Sequence, residues 1–306
     1  MTATPAATDP SGSAALMGVL AALATVTMWG AWVVATRFGV AGTLTPVEVA
    51  LLRVGPPGIV LLPIFLRLWP EVRRIGWGRT LVIMVGAGAP FLLVVGTGMR
   101  FAPAADAGAL LPGTMPLWVS LFAAAFFAER FTPSRLLGLG LIVLGGVCVG
   151  GYSLVAGEPG EWRGHLLFLT GASMWACYTL ALRFSGLGPW QAAALVNCGS
   201  FLLLLPLALI FGDLRFNAST SELAGQLVAQ GLFSGLLAMA SYGYSVRALG
   251  AARASAFSAL TPVIAALLGI PLLGEVPDVL TWIGIAAVVS GVALASGLAR
   301  MLRSVP

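Results

Sequence analysis

The chain repeats itself. A shift of 146 positions carries Met28–Trp29 onto Met174–Trp175 and Arg37–Phe38 onto Arg183–Phe184. The same shift carries Pro116, Glu129, Gly138 and Gly145 onto Pro262, Glu275, Gly284 and Gly291 with no net insertion. An internal repeat of this length defines the architecture before any local pattern is read. Each copy is too apolar for water: 59% of the 306 residues are hydrophobic, 9% are charged, and the mean hydropathy is +0.99. An average soluble domain carries about 25% charged residues. A duplicated chain with lipid as its solvent is how many secondary transporters are organised, with substrate held where the halves meet.

A bilayer core of about 30 Å takes about 20 apolar residues per helix. Charge-poor runs of that length lie near 16–37, 47–66, 80–99, 107–128, 136–155, 165–183, 191–212, 224–245, 254–273 and 280–299, five per repeat. Backbone polar groups in lipid must be satisfied within the segment, and these runs lack the alternation of a barrel strand. The expected fold is an all-α membrane protein of ten transmembrane helices, built as two inverted five-helix repeats over 16–155 and 165–300. Residues 1–15, rich in Ala, Thr, Pro and Ser and without a positive n-region, read as a disordered tail. With the N-terminus inside, Arg67, Arg73, Arg74, Arg79, Arg130, Arg135, Arg183, Arg247, Arg253, Arg300 and Arg303 fall on the cytoplasmic side. Only Arg37, Arg100, Arg163 and Arg215 fall outside. That bias places both termini in the cytoplasm and the protein in the plasma (inner) membrane.

The remaining composition excludes other classes. The net charge of +5 is spread over connections and forms no basic stripe, so nucleic acid is not a partner. Cys148, Cys177 and Cys198 lie in apolar runs at wide spacing and suggest neither a disulfide framework nor a metal site. His165 is the only histidine and sits where a span begins, which leaves a serine protease or a metalloenzyme without parts. No cofactor or metal is expected. No phosphate-binding loop is present, so ATP is not the direct energy source.

Polar and aromatic groups inside the spans are the functional candidates. Arg53 lies about two turns into the second span, where its repeat mate is Gly199, so the charge is one-sided; Glu48 begins the same helix. A cation there is expensive in lipid. It either contacts substrate, or snorkels or pairs with Glu48 to fix the helix. Glu48 is the nearest carboxylate to mid-membrane and hence the candidate for ion coupling. Trp29 and Trp32, with their mates Trp175 and Tyr178, lie too deep for an interfacial belt and could line a cavity. Asn197, Gln230, Tyr242 and Thr261 need partners within lipid, on other helices or on substrate. Pro112, Pro116 and Pro262 should break helices at matching places, a pointer to a transport site. Glu129 and Glu275 read as anchors at span ends. Asp106 and Arg100 read as solvated loop charges. Pairs of small residues such as Gly146/Gly150 and Gly231/Gly235, and the repeated Gly138, Gly145, Gly284 and Gly291, read as helix-packing faces.

These residues resemble a known family. The segment RFAPAADAGALLPGTMPLWVSLFAAAFFAERFTPSRLLGLGLIVLGGV at 100–147 looks like the second part of an EamA repeat of the drug/metabolite transporter superfamily, with RALGAARASAFSALTPVIAALLGIPLLGEVPDVLTWIGIAAVVSGV at 247–292 as its partner. MWGAWVVATRF and TPVEVALLR resemble the opening of that repeat. The resemblance covers about 16–300 and implies ten helices, a central cavity between the repeats and alternating access. It implies a secondary transporter and not an enzyme: an exporter of small metabolites such as amino acids or, alternatively, of aromatic or cationic toxic compounds. A channel or sensor is a remoter reading. The expected partners are a small-molecule substrate and the bilayer, with the chain acting as a monomer or homodimer. Arg53 matches an arginine common at this place in the repeat, which on the resemblance favours a structural role for it. Gly199 and Val279 stand where the first repeat has Arg53 and Pro133, so the two halves are not interchangeable.

Overall fold

The computed structural model describes residues 12–155, 157–211, 214–249, 254 and 257–296. Among these every regular element is helical. In the first repeat, α1 spans Gly12–Ala41, α2 Pro46–Val60, α3 Leu62–Phe65, α4 Trp69–Ile75, α5 Trp77–Ala87, α6 Ala89–Gly98, α7 Ala104–Leu110, α8 Met115–Phe127 and α9 Pro133–Val155. In the second, α10 spans Glu161–Arg183, α11 Pro189–Phe211 and α12 Thr220–Gln226, which runs through a π-helical stretch at Leu227–Leu237 into α13, Ala238–Leu249. A 3₁₀ turn at Phe257–Leu260 then leads into α14, Thr261–Leu273, and α15 covers Val279–Ala295. The expected tail overlaps α1 at 12–15, and 1–11 lie outside the described residues, as does the end of the second repeat beyond 296.

Among the described residues seven helical segments, two of them interrupted at 88 and at 111–114, are long and apolar enough to cross a membrane, against the ten spans expected. The others fall short. The second expected span is cut at Leu61, between α2 and α3. Among the described residues the ninth and tenth form shorter apolar helices over 257–273 and 279–295. The molecular surface is that of a lipid-facing protein: Phe211 is 82% exposed, Phe126 74% and Ile210 69%, a display that water would penalise.

The helix ends follow local chemistry. Thr45 and Glu48 form a capping box at α2, each binding the other's backbone amide, and Pro46 occupies the first turn, where no amide donor is needed. Asp278 caps α15 by accepting from the Leu280 and Thr281 amides. Pro116 and Pro262 sit in the first turns of α8 and α14, directly after the irregular stretches at 111–114 and 257–260. Both repeats therefore interrupt the same helix at the same place. The preceding helix is interrupted in both as well, at Gly88 between α5 and α6, and by the π stretch containing the equivalent Ser234.

The repeats interlock. The first helix of each packs on the third and fourth helices of the other: α1 against α13 and α14, α10 against α5, α6 and α8. The most extensive pair is α9 with its own mate α15. A side chain at Gly138 would meet the Gly291 carbonyl oxygen at 2.6 Å, and one at Gly145 would meet the Gly284 carbonyl oxygen at 2.5 Å. These two contacts are images of each other under the repeat. They show α9 and α15 antiparallel and touching backbone to backbone, the close approach that small residues permit.

The connections gather at two ends. At the first, Glu48 accepts from the Arg215 and Phe216 amides, Thr43 bonds Glu222, and Arg37 meets Glu275 and the Met99 carbonyl. At the second, Arg74 and Arg79 donate to the Ser185 and Phe184 carbonyls, and Arg183 pairs with Glu129. Among the described residues these contacts never join a connection of one end to a connection of the other.

Candidate functional site: a cavity between the repeats

A cavity of about 430 Å³ lies where the two halves meet, within the usual size of a small-molecule site. Of the residues singled out in the sequence, it is lined by Trp29, Trp32, Arg53, Pro112, Pro116, Trp175, Tyr178, Asn197, Tyr242 and Thr261. The aromatic groups form a nearly continuous wall. Trp32 stacks on Phe91 with centroids 6.4 Å apart, Phe91 meets Trp175 at 5.3 Å, and Trp175 meets Tyr178 at 5.1 Å. Trp29 lies against Tyr242 at 5.5 Å. The interlocking explains the convergence: α1 and α10, equivalent helices that carry the four repeat-related aromatics, cross over into the opposite halves and face one another across the space.

Arg53 is the deep charge. Its Nη2 donates to the Ser234 carbonyl at 3.3 Å, while Nε and Nη1 are enclosed without a protein partner. The expected pairing with Glu48 does not form. Glu48 is 1% exposed, and its oxygens accept from the Thr45 amide and hydroxyl and from the Arg215 and Phe216 amides at 2.6–3.1 Å. One of those donors, Phe216, holds a left-handed backbone with φ of 43°, a conformation costing about 1 kcal/mol that the carboxylate helps to fix. Glu48 is thus an anchor between α2 and the connection before α12, away from the cavity.

Gln230 also lies off the cavity. It is fully buried and donates to Thr36 Oγ1 at 3.0 Å and to Gln226 Oε1 at 3.2 Å, while Gln226 donates to the Ala35 carbonyl. This amide network fastens the π stretch to α1. Pro262 stands one residue behind the cavity-lining Thr261. Asp106 and His165 depart most from expectation. Neither is a solvated or interfacial group: at 6% exposure each, they bond at 2.7 Å, Nε2 to Oδ2, where α7 meets α10. Arg100 stays exposed.

Among the lining residues that the sequence did not mark as cavity groups are Phe91, Ser120 and Arg135. Arg135 looked like one of many cytoplasmic loop arginines. Pro133 starts α9 two residues earlier and so sets Arg135 in the first turn, where it donates to Ser120 Oγ at 3.0 Å and stacks over Phe131 at 4.8 Å. The cavity reaches the second end at Arg135 and at Ser296, the cap of α15, but stops more than a helical turn short of the first.

The two ends carry equivalent ion pairs of unequal burial. At the first end Arg37 Nε meets Glu275 Oε1 at 2.6 Å, with both side chains 19% exposed. Arg37 also donates to the Met99 carbonyl, and Glu275 accepts from the Ala104 amide at 2.8 Å. The repeat image, Arg183 with Glu129 at 2.7 Å, is 56% and 30% exposed.

Apolar exterior, duplicated helices and an enclosed aromatic cavity together define a multi-pass membrane protein of transporter type. The chain belongs to the EamA-like transporter family, whose model matches residues 16–151 and 162–297. It is 28% identical over 296 residues to the "Probable terminal-alkyne amino-acid exporter" of Streptantibioticus cattleyicolor, covering 90% of this chain and 92% of that one. It is 27% identical over 288 residues to the "Uncharacterized inner membrane transporter YedA" of Escherichia coli K12, covering 91% and 90%. A protein crystal structure superposes with a TM-score of 0.60 at 24% identity, over 95% of this chain and 99% of that one, and shares the fold.

Proposed function

We propose that this protein is a secondary transporter of the inner membrane that exports small metabolites such as amino acids by alternating access. The observation that carries the reading is the aromatic cavity built jointly by equivalent helices of both repeats, reaching one end and stopping short of the other, where a half-buried ion pair lies. Ten crossings with both termini cytoplasmic fit the separation of the connections into two ends. The second end, where the cavity reaches, also holds most of the arginines and is the cytoplasmic one on this reading. The antiparallel contact of α9 with α15 supports an inverted repeat, with its pseudo-twofold axis in the membrane plane. Trp29, Trp32, Trp175, Tyr178, Tyr242, Asn197 and Arg53 are the substrate-contacting set. Resemblance to an amino-acid exporter favours amino acids, while the aromatic wall alone would also suit efflux of aromatic or cationic compounds.

Expression in a sensitised bacterial host, challenged with toxic amino acids, amino-acid analogues and aromatic cations, tests the reading. Rescue by the wild type that is lost in Trp29→Ala is the expected result. Absence of rescue across the panel, with no efflux from preloaded cells, would sink it.

A further inference from the structure

The charged groups lining the cavity are Arg53 and Arg135; among the described residues no carboxylate lines it. At the ends of the molecule the chain supplies acids to arginines, as Glu275 does for Arg37 and Glu129 for Arg183. It gives Arg53 none. The nearest acid on the same helix, Glu48, is consumed by four other donors. A guanidinium left with one long carbonyl contact in a membrane-buried wall is costly, and its planar fork suits a carboxylate.

The repeat sharpens the point. At the equivalent position the backbone of Gly199 is covered by the Met84 side chain. The fold therefore closes this corner without a cation, and Arg53 is not a requirement of the repeat. The rest of the wall is aromatic, fit for a ring or an apolar chain. Thr261 adds a buried hydroxyl without a protein partner on the same lining.

We infer that the cavity binds small carboxylates with an aromatic or apolar body: Arg53 holds the carboxylate, Arg135 draws it in from the second end, and organic cations are refused. This rests on the transport reading above and names its substrate class. Arg135 is held at the mouth by Ser120 and Phe131, where a positive charge raises the local concentration of anions. A zwitterionic amino acid can use Arg53 but finds no acid for its ammonium group. A cation meets two like charges.

The test uses the purified full chain in micelles and three probes that share one ring and differ in charge: 3-phenylpropionate, L-phenylalanine and 2-phenylethylamine. Tryptophan fluorescence reports binding. The acid is expected to bind at least about tenfold tighter than the amine, with the amino acid between. Arg53→Gln should weaken the acid at least about tenfold and tighten, not weaken, binding of the amine, which then meets one like charge fewer. Arg135→Gln should weaken the acid a few fold and flatten its salt dependence. Arg53→Lys, which keeps charge but not the fork, should retain part of the affinity, and it decides the matter with the wild-type series if Arg53→Gln does not fold. Amine binding as tight as acid binding overturns the inference. So does acid binding indifferent to Arg53→Gln in a variant that melts like wild type, or failure of all three probes to bind. Rescue of the sensitised host without preference for carboxylates would sink the carboxylate site and leave transport standing. Loss of all rescue would sink transport itself, whatever binds in micelles.

Discussion

Glu275→Ala should open the first end. The carboxylate accepts from Arg37 Nε at 2.6 Å and from the Ala104 amide at 2.8 Å, and it orients Arg37 toward the Met99 carbonyl. Hydrogen bonds to charged groups contribute about 1.5–3 kcal/mol each. Two of them at 19% exposure, discounted for that exposure, give about 3 kcal/mol, a shift of roughly a hundredfold in the ratio of closed to open. The equivalent Glu129→Ala removes a pair that is 56% and 30% exposed, worth less than about 1 kcal/mol. The reporter is Leu92→Cys, which lines the cavity on its first-end side, in a chain whose cysteines Cys148, Cys177 and Cys198 are replaced by alanine. An impermeant maleimide applied to whole cells should label Leu92→Cys slowly. Labelling should run about a hundredfold faster with Glu275→Ala, whereas Glu129→Ala, which loosens the opposite end, should leave it unchanged or slow it slightly. An unchanged rate in the Glu275 variant, or equal acceleration by the two, would refute the assignment of Arg37–Glu275 as the stronger closure.

Two further substitutions test the scaffold. Ala128 ends α8 in a left-handed conformation with φ of 52°, where its repeat mate Gly274 ends α14 at φ 70°; Ala128→Gly should raise thermal stability in detergent by about 0.5–1 kcal/mol. Glu48→Gln removes the charge from a carboxylate that serves four donors and should cost about 2 kcal/mol of stability, while the pH dependence of transport stays as in wild type. A shifted pH profile would return Glu48 to ion coupling.

Much of this architecture is legible in the sequence because it depends on one-dimensional signals. The 146-residue shift survives in Trp29/Trp175, Arg37/Arg183 and Glu129/Glu275, and the depth of the tryptophans follows from counting back to Arg37. The interrupted helices were marked by Pro116 and Pro262. What stayed hidden depends on which helix packs against which. Gln230 looks like a cavity group until α1 is known to cross into the other repeat and cover it. Asp106 and His165 are 59 positions apart, and nothing local says that α7 and α10 bring them together. Arg135 carried no repeat signal, since its mate is Thr281. Only seven of the ten expected spans are long apolar helices among the described residues, because the turn at 61 and the 3₁₀ stretch at 257–260 are as apolar as the helices beside them.

A perfectly symmetric duplication would make its two ends equally easy to open, so the resting state must come from the departures. They point one way. The first end has the better-connected ion pair, and it also holds Asp106 with His165, buried at 2.7 Å. The positions equivalent to that acid and imidazole are Ala252 and Val19, so the second end has no counterpart to it. On the alternating-access reading proposed above, each device would add stability with the first end shut and none with the second shut. A membrane cavity whose symmetric scaffold is biased in this way would rest open to the second end. On the arginine assignment that is the cytoplasmic end, which is the state an exporter needs in order to load. The same asymmetry appears inside the cavity, where Arg53 stands opposite a Gly199 covered by Met84: the scaffold is shared by both repeats, while charge and closure are each assigned to one.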